Sequence, residues 1–226
     1  MNKFNLVIFD GDGVLVDSEI IANVILLDML NEIGLYLTLE DVFDICAGKS
    51  TAICLETIQD ILGQPLPSKF ATEFEQRTMQ AFIKHLKPVQ GIHDVLSKLN
   101  ISFCVASNSS HQWLRQALLK TDLFSYFAGK IFTATGIIRS KPHPDVFLYA
   151  AETMGFSPEE CVVIEDTPTG VMAGVNAGMT VFGYSELTKP KKLREAGASV
   201  VFNDMRLLPK LLEQENNYLV SSAIAI

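Results

Sequence analysis

The chain has 226 residues, 48% of them hydrophobic and 19% charged, which supplies a large core and excludes wholesale disorder. A net charge of −8 argues against nucleic acid or an anionic membrane as the main partner. It leaves room for a phosphorylated substrate, because a bound metal and a few placed lysines can set the local field.

The first element is the apolar run Leu6-Val7-Ile8-Phe9, the pattern of a strand buried on both faces of a parallel sheet. It runs into Asp10-Gly11-Asp12-Gly13, where two glycines permit a tight turn between two acids. Taken alone, this turn is equally well an acidic surface loop or a site. After it the apolar positions recur three or four apart, at Ile20, Ile21, Val24, Leu27, Leu30 and Ile33, and predict a helix stopped at Gly34. Ser18 is its expected N-cap, with Glu19 favourable in the first turn. Helices are also predicted over 39–46, 51–62 and 70–86, with breaks at Gly48, at 63–67 and at Pro88. No strand is predicted from 19 to 87.

From Pro88 the pattern alternates. Helices are predicted at 91–99, at 112–121 with 124–127 following it, from an opening at 140–145 to about 154, and at 169–177, and strands at 101–106, 130–133, 161–164, 179–182 and 199–202. This alternation predicts an α/β fold, a Rossmann-like doubly wound parallel sheet. An all-helical insert is expected at 17–87, with the core made of 1–16 and 88–226. The tail after about Glu215 is expected to be mobile.

Four strand or helix termini carry polar chemistry. They are Asp10 and Asp12, Ser107-Asn108, Lys141, and Glu165-Asp166. Ligands of open α/β sheets bind outside the carboxyl ends of the strands, so these groups can converge there. Each suits phosphoryl transfer. A carboxylate such as Asp10 can attack phosphorus and form an aspartyl-phosphate. Asp10 with Asp166 supplies a Mg²⁺ site, to which Glu165 adds a direct or water-mediated ligand. Lys141 is a point charge suited to phosphate oxygens and to the attacking carboxylate. The Ser107 hydroxyl can donate to phosphate. Asp12 can protonate the leaving oxygen and later deprotonate water.

The ordered set Asp10-Gly11-Asp12-Gly13-Val14-Leu15-Val16-Asp17-Ser18, Ser107-Asn108, Lys141-Pro142-His143-Pro144-Asp145 and Glu165-Asp166-Thr167-Pro168-Thr169-Gly170 resembles haloacid-dehalogenase-like hydrolases. The likeness is to the β-phosphoglucomutase-like, phosphatase-rich branch with a small helical cap. It implies Asp10 as nucleophile and Asp12 as acid/base. It also implies metal ligation by Asp10, the Asp12 backbone carbonyl and Asp166, with Glu165 adjacent, and phosphate contacts from Ser107, Asn108 and Lys141. A basic residue from the cap loop often meets substrate in this family, which makes Lys49 a candidate, although a solvated lysine fits equally.

The expected activity is Mg²⁺-dependent hydrolysis of a small phosphorylated metabolite, a sugar or sugar-acid phosphate such as 6-phosphogluconate. A β-phosphoglucomutase-type mutase is the alternative. Against it, the mutase's cap histidine corresponds to Ala22 here. A non-enzymatic binding module is disfavoured by the intact acids and lysine. The cysteines Cys46, Cys54, Cys104 and Cys161 lack C-x-x-C spacing and read as reduced and structural. Thr167 and Thr169 are expected to cap a helix, Trp113 to pack, and His111 and His143 to start helices. With no signal-like N-terminus and no apolar span, a cytoplasmic monomer is expected.

Overall fold

The computed structural model describes residues 4–47, 49, 51–134 and 139–223. Six parallel strands form one sheet: β1 (Leu6–Phe9), β2 (Ser102–Ser107), β3 (Ile131–Thr133), β4 (Cys161–Glu165), β5 (Thr180–Tyr184) and β6 (Val200–Phe202). Their order is β3-β2-β1-β4-β5-β6. This is the doubly wound arrangement, and its order reverses between β1 and β4, where a crevice opens at the carboxyl ends. The register sets the level of that crevice. Phe9 pairs with Val105 on one side and Ile164 on the other, so Asp10 follows β1 level with the ends of both neighbours.

Alternation along the buried strands divides the core into two layers. Val7, Phe9, Val105, Val162 and Ile164 face one side. There they meet helices α5 (Ile92–Lys98), α6 (His111–Lys120), α7 (Phe124–Phe127) and α11 (Leu208–Ala223). Leu6, Ile8, Cys104, Ala106, Val163 and Val181 face the other, under α8 (Asp145–Met154), α9 (Pro168–Asn176) and α10 (Pro190–Glu195). Burial of each such side chain contributes about 1.5–3 kcal/mol relative to exposure. Ends are fixed locally. Thr167 accepts from the Gly170 N–H, and Pro168 opens α9 where no N–H is needed. The Thr169 half of that capping expectation has no counterpart in the structure.

Between β1 and β2 lie α1 (Ser18–Glu32), α2 (Leu39–Cys46), α3 (Thr51–Leu62) and α4 (Phe70–His85). They pack around their own apolar cluster, which includes Leu26, Met29, Leu30, Val42, Ile58 and Phe70. The two chain crossings into this block are tied together. The Asp17 N–H donates to the Lys87 carbonyl, the Lys87 N–H donates to the Asp17 carboxylate, and Val16 bridges Pro88.

The start of α1 and the segment between β5 and β6 differ from expectation. Ser18 does not cap α1. Asp17 holds the N-cap position without a side-chain cap bond, its carboxylate accepting from the Lys87 N–H instead, and the Ser18 hydroxyl is committed to Asp12. The tail is helical as far as Ala223, and the Phe4 N–H donates to Asn216 within it. The α10 segment was not expected, because six residues are too few for periodicity to show. The break expected at Gly48 lies outside the described residues, as do 224–226 of the tail. No helix among the described residues is long and apolar enough to cross a membrane.

Candidate active site

The crevice between β1 and β4 holds a lysine among carboxylates. Lys141, ahead of α8, is buried, and its ammonium donates to Asp10 Oδ1 at 2.5 Å, Glu165 Oε1 at 2.7 Å and the Ala106 carbonyl at 3.0 Å. These three acceptors use its three protons. Its Nζ also lies 4.6 Å from the centre of the Phe147 ring. Burial disfavours its charge, but Asp10 and Glu165 outweigh that and hold its pKa above the ordinary lysine value. Of the two partners expected for Lys141, phosphate and the attacking carboxylate, the structure places its charge on the carboxylate of Asp10.

Asp10 is pushed up to about 7, first by burial and then by Glu165 and Asp12, against the pull of Lys141. Glu165 is saturated. Its Oε2 accepts from the backbone N–H groups of Asp166 and Thr167 and from the Thr167 hydroxyl, so it binds both Lys141 and the start of α9. A Cβ on Gly170 would collide with this carboxylate, which explains a glycine inside that helix.

Asp166 is different. It is buried, yet neither of its oxygens has a hydrogen-bond partner among the described residues. Burial raises its pKa well above the carboxylate range, followed by the charges of Glu19, Glu165 and Asp10. Asp10, Glu165 and Asp166 each offer an oxygen, all within 4.8 Å of one another. An unpartnered buried carboxylate in such a set fits a hard divalent cation, which takes oxygen ligands and removes the cost of burying the charge. Of the three, Asp166 has the oxygens to spare.

Gly13 fits against this acid. Its φ is +76°, and an added Cβ would strike the Asp166 carboxylate. Gly13→Ala is therefore expected to cost about 1–3 kcal/mol. In a chain of this size that is a fall of about 3–10 °C in melting temperature. A thermal melt unchanged within a degree would show that the turn tolerates the side chain.

Asp12 is surrounded by donors. The Ser18 hydroxyl donates to its Oδ1 and the Ser109 hydroxyl to its Oδ2, each at 2.5 Å, and the Trp113 indole N–H donates to Oδ1 at 3.3 Å. Trp113 was expected only to pack. It does pack, with its ring centre 4.5 Å from that of Phe82, but it also reaches Asp12. Ser109 and Glu19 were missed as site residues. Glu19, in the first turn of α1, is pushed up to about 8 by burial and then by Asp12, Asp10 and Glu165. Their signal was adjacency to motif residues, which cannot say which way a side chain points.

Ser107 is buried at the end of β2, and its oxygen accepts from the Ser109 N–H at 3.0 Å. Asn108 Oδ1 accepts from the Lys141 backbone N–H at 3.0 Å and so helps to place the lysine. Lys49 is exposed on the α2–α3 connection. The four cysteines are free thiols. Both oxygens of Asp12 and the Asp10–Lys141 pair thus share one crevice with Ser107, Glu165 and Asp166.

A doubly wound sheet with these acids and a lysine at its carboxyl ends is an arrangement suited to phosphoryl chemistry, and the relatives of the chain place it among phosphatase-type hydrolases. The profile described as haloacid dehalogenase-like hydrolase matches residues 7–184, and the chain belongs to that family. It is 30% identical over 185 residues to a 6-phosphogluconate phosphatase of Escherichia coli (strain K12), covering 81% of this chain and 84% of that protein. It is also similar to a conserved haloacid dehalogenase-like protein of unknown function from Agrobacterium tumefaciens, with TM-score 0.89 and 34% identity over 93% of this chain and 98% of that one. A HAD family hydrolase from Deinococcus radiodurans, solved with bound phosphate and sodium, superimposes with TM-score 0.84 and 30% identity over 95% and 97% of the two chains.

Proposed function

We propose that this phosphatase hydrolyses the monoester of a small polyhydroxy metabolite, a sugar or sugar-acid phosphate, through an aspartyl-phosphate on Asp10. The observation that carries the reading is Asp10 at the tip of a central strand, bonded to Lys141 and close to the unpartnered Asp166. Asp10, Asp166 and the Asp12 backbone carbonyl would hold Mg²⁺, with Glu165 at its edge. The cation supplies positive charge that lets a dianionic phosphate approach the acids and offsets charge developing on the transferred group.

The chain's own residues do the rest. Asp10 attacks phosphorus, held by the Lys141 ammonium in one orientation. The Asp12 carboxyl gives its proton to the leaving oxygen, then takes one from the water that hydrolyses the intermediate. Ser107 donates its hydroxyl proton to a phosphate oxygen, and Asn108 contributes by fixing Lys141. Residues 17–87 serve as a cap over a core of 1–16 and 88–226, presenting Lys49 and Glu19 to the part of the substrate beyond phosphate. The separate apolar cluster of the four helices and the paired crossings at Asp17 and Lys87 support this division.

Hydrolysis rather than mutase chemistry is supported by Ala22 on α1, which offers no proton-accepting group there. The E. coli relative's name makes 6-phosphogluconate the first substrate to try. A panel of sugar phosphates, sugar-acid phosphates, phosphoglycolate and nucleotides, read by inorganic phosphate, tests the proposal. Chelator is expected to stop release and Mg²⁺ to restore it. Glucose 1-phosphate converted to glucose 6-phosphate without phosphate release would decide for a mutase.

A further inference from the structure

Asp12 is the point where the inserted helices touch the proton-transfer group, and they reach it by two routes. One is direct, because Ser18 is the first residue of α1. The other runs through the core helix α6. The Ser110 side chain accepts from the Trp113 N–H and caps α6, which fixes Trp113 in the first turn of that helix. From there the indole N–H points to Asp12 Oδ1, and the indole face lies on Phe82 of α4, with the rings tilted by 32°. Phe82 and Trp113 are both half-buried and pack on the same core cluster as Val14, Leu15 and Leu86. They also line, with Met79, Ile83 and Leu86, an apolar groove of about 490 Å³ between α4 and α6.

We infer that Trp113 is a positioning residue: its indole N–H sets the rotamer of Asp12 for proton transfer, and its contact with the Phe82 ring holds the indole in the direction that this needs. This rests on the reading of Asp12 as acid/base given above. The physical ground is that an aspartate can swing about two side-chain torsions, and a donor on a capped helix stops that swing. The serine hydroxyls rotate and can donate elsewhere, whereas the indole has one donor in a fixed direction.

Leaving-group dependence separates this role from a merely structural one. An alkyl phosphate needs a proton on its departing oxygen, while 4-nitrophenyl phosphate releases an anion already stable near neutral pH. The ratio kcat/KM reports the steps up to phosphorylation of Asp10 for either ester. Trp113→Phe keeps a ring on Phe82 and deletes only the donor. It is expected to lower kcat/KM about 10-fold for the fastest alkyl ester of the panel, in keeping with loss of one hydrogen bond. The value for 4-nitrophenyl phosphate should stay within about twofold by the same reasoning. Phe82→Leu, which keeps bulk but removes the ring under the indole, should show the same selective loss.

An equal fall on both esters in both variants would make Trp113 a packing residue and overturn the inference. So would no change on either ester. Asp10→Asn, run in parallel, keeps the two readings apart. Turnover by that variant would sink the aspartyl-phosphate mechanism itself. An inactive Asp10→Asn beside a wild-type-like Trp113→Phe would sink only the role of Trp113.

Discussion

Replacing Asp10 by Asn is expected to lower phosphate release by about a thousandfold or more on every ester of the panel, the scale seen when a nucleophile is removed. The amide is nearly the same size and can still accept from Lys141, so the geometry of the crevice is retained. What it lacks is a charged oxygen able to attack phosphorus. Misfolding would be a trivial explanation, and stability tests it. Burial and the neighbouring acids push Asp10 up to about 7, so ionising it near neutral pH works against the fold. Asp10→Asn should therefore melt no lower than the parent at pH 8 in chelator. A stable variant with substantial turnover would remove Asp10 from the chemistry.

The second large effect concerns Asp166. Asp166→Asn is expected to lower turnover at least about a hundredfold, within the range for losing charge placed at a transition state. Mg²⁺ near 100 times its Kd should raise the melting temperature of the parent by about 5–10 °C, from about 2.7 kcal/mol of linkage. The variant should not respond. The pH dependence has a definite sign. In chelator, Asp10 and Glu19 have folded-state values of about 7 and about 8, above their ordinary 3.8 and 4.5, and Asp166 is raised as well. Groups raised in this way bind more protons in the folded state than in the unfolded. Their contribution is present in full below about pH 4 and is lost as pH rises through 7 and 8. The chelated parent should lose melting temperature between pH 5 and pH 8, and Asp166→Asn should lose less. Calorimetry across that range checks it, and a parent melt that rises with pH would contradict the electrostatics of the crevice.

These effects concern residues whose types and order were readable without coordinates, although their contacts were not. Asp10 and Asp12 are separated by one glycine at the end of an apolar run, and that spacing alone limits where they can stand. Lys141 was legible as a charge near the acids. That its three protons go to Asp10, Glu165 and Ala106 was not, because those acceptors come from three different strand ends. Glu165 illustrates the same limit. The sequence left open a metal ligand, a group behind the ligands or a helix-cap residue; the fold commits its oxygens to Lys141, to Thr167 and to the start of α9. Ser18 and Trp113 were read for local duties, a cap and a packing ring. Both turned out to serve Asp12 across 6 and 101 residues of chain.

The sequence by itself determined the strand and helix types, the sheet class, the insertion after β1 and the set of acids and lysine, because apolar periodicity and glycine placement act over a few neighbouring residues. Tertiary structure alone decided which carboxylate is saturated and which is left without donors among the described residues, and which aromatic ring reaches Asp12. Those outcomes depend on side-chain direction at strand ends brought together by register. A hydrogen bond is made or lost over a fraction of an ångström, a scale that residue order does not encode locally.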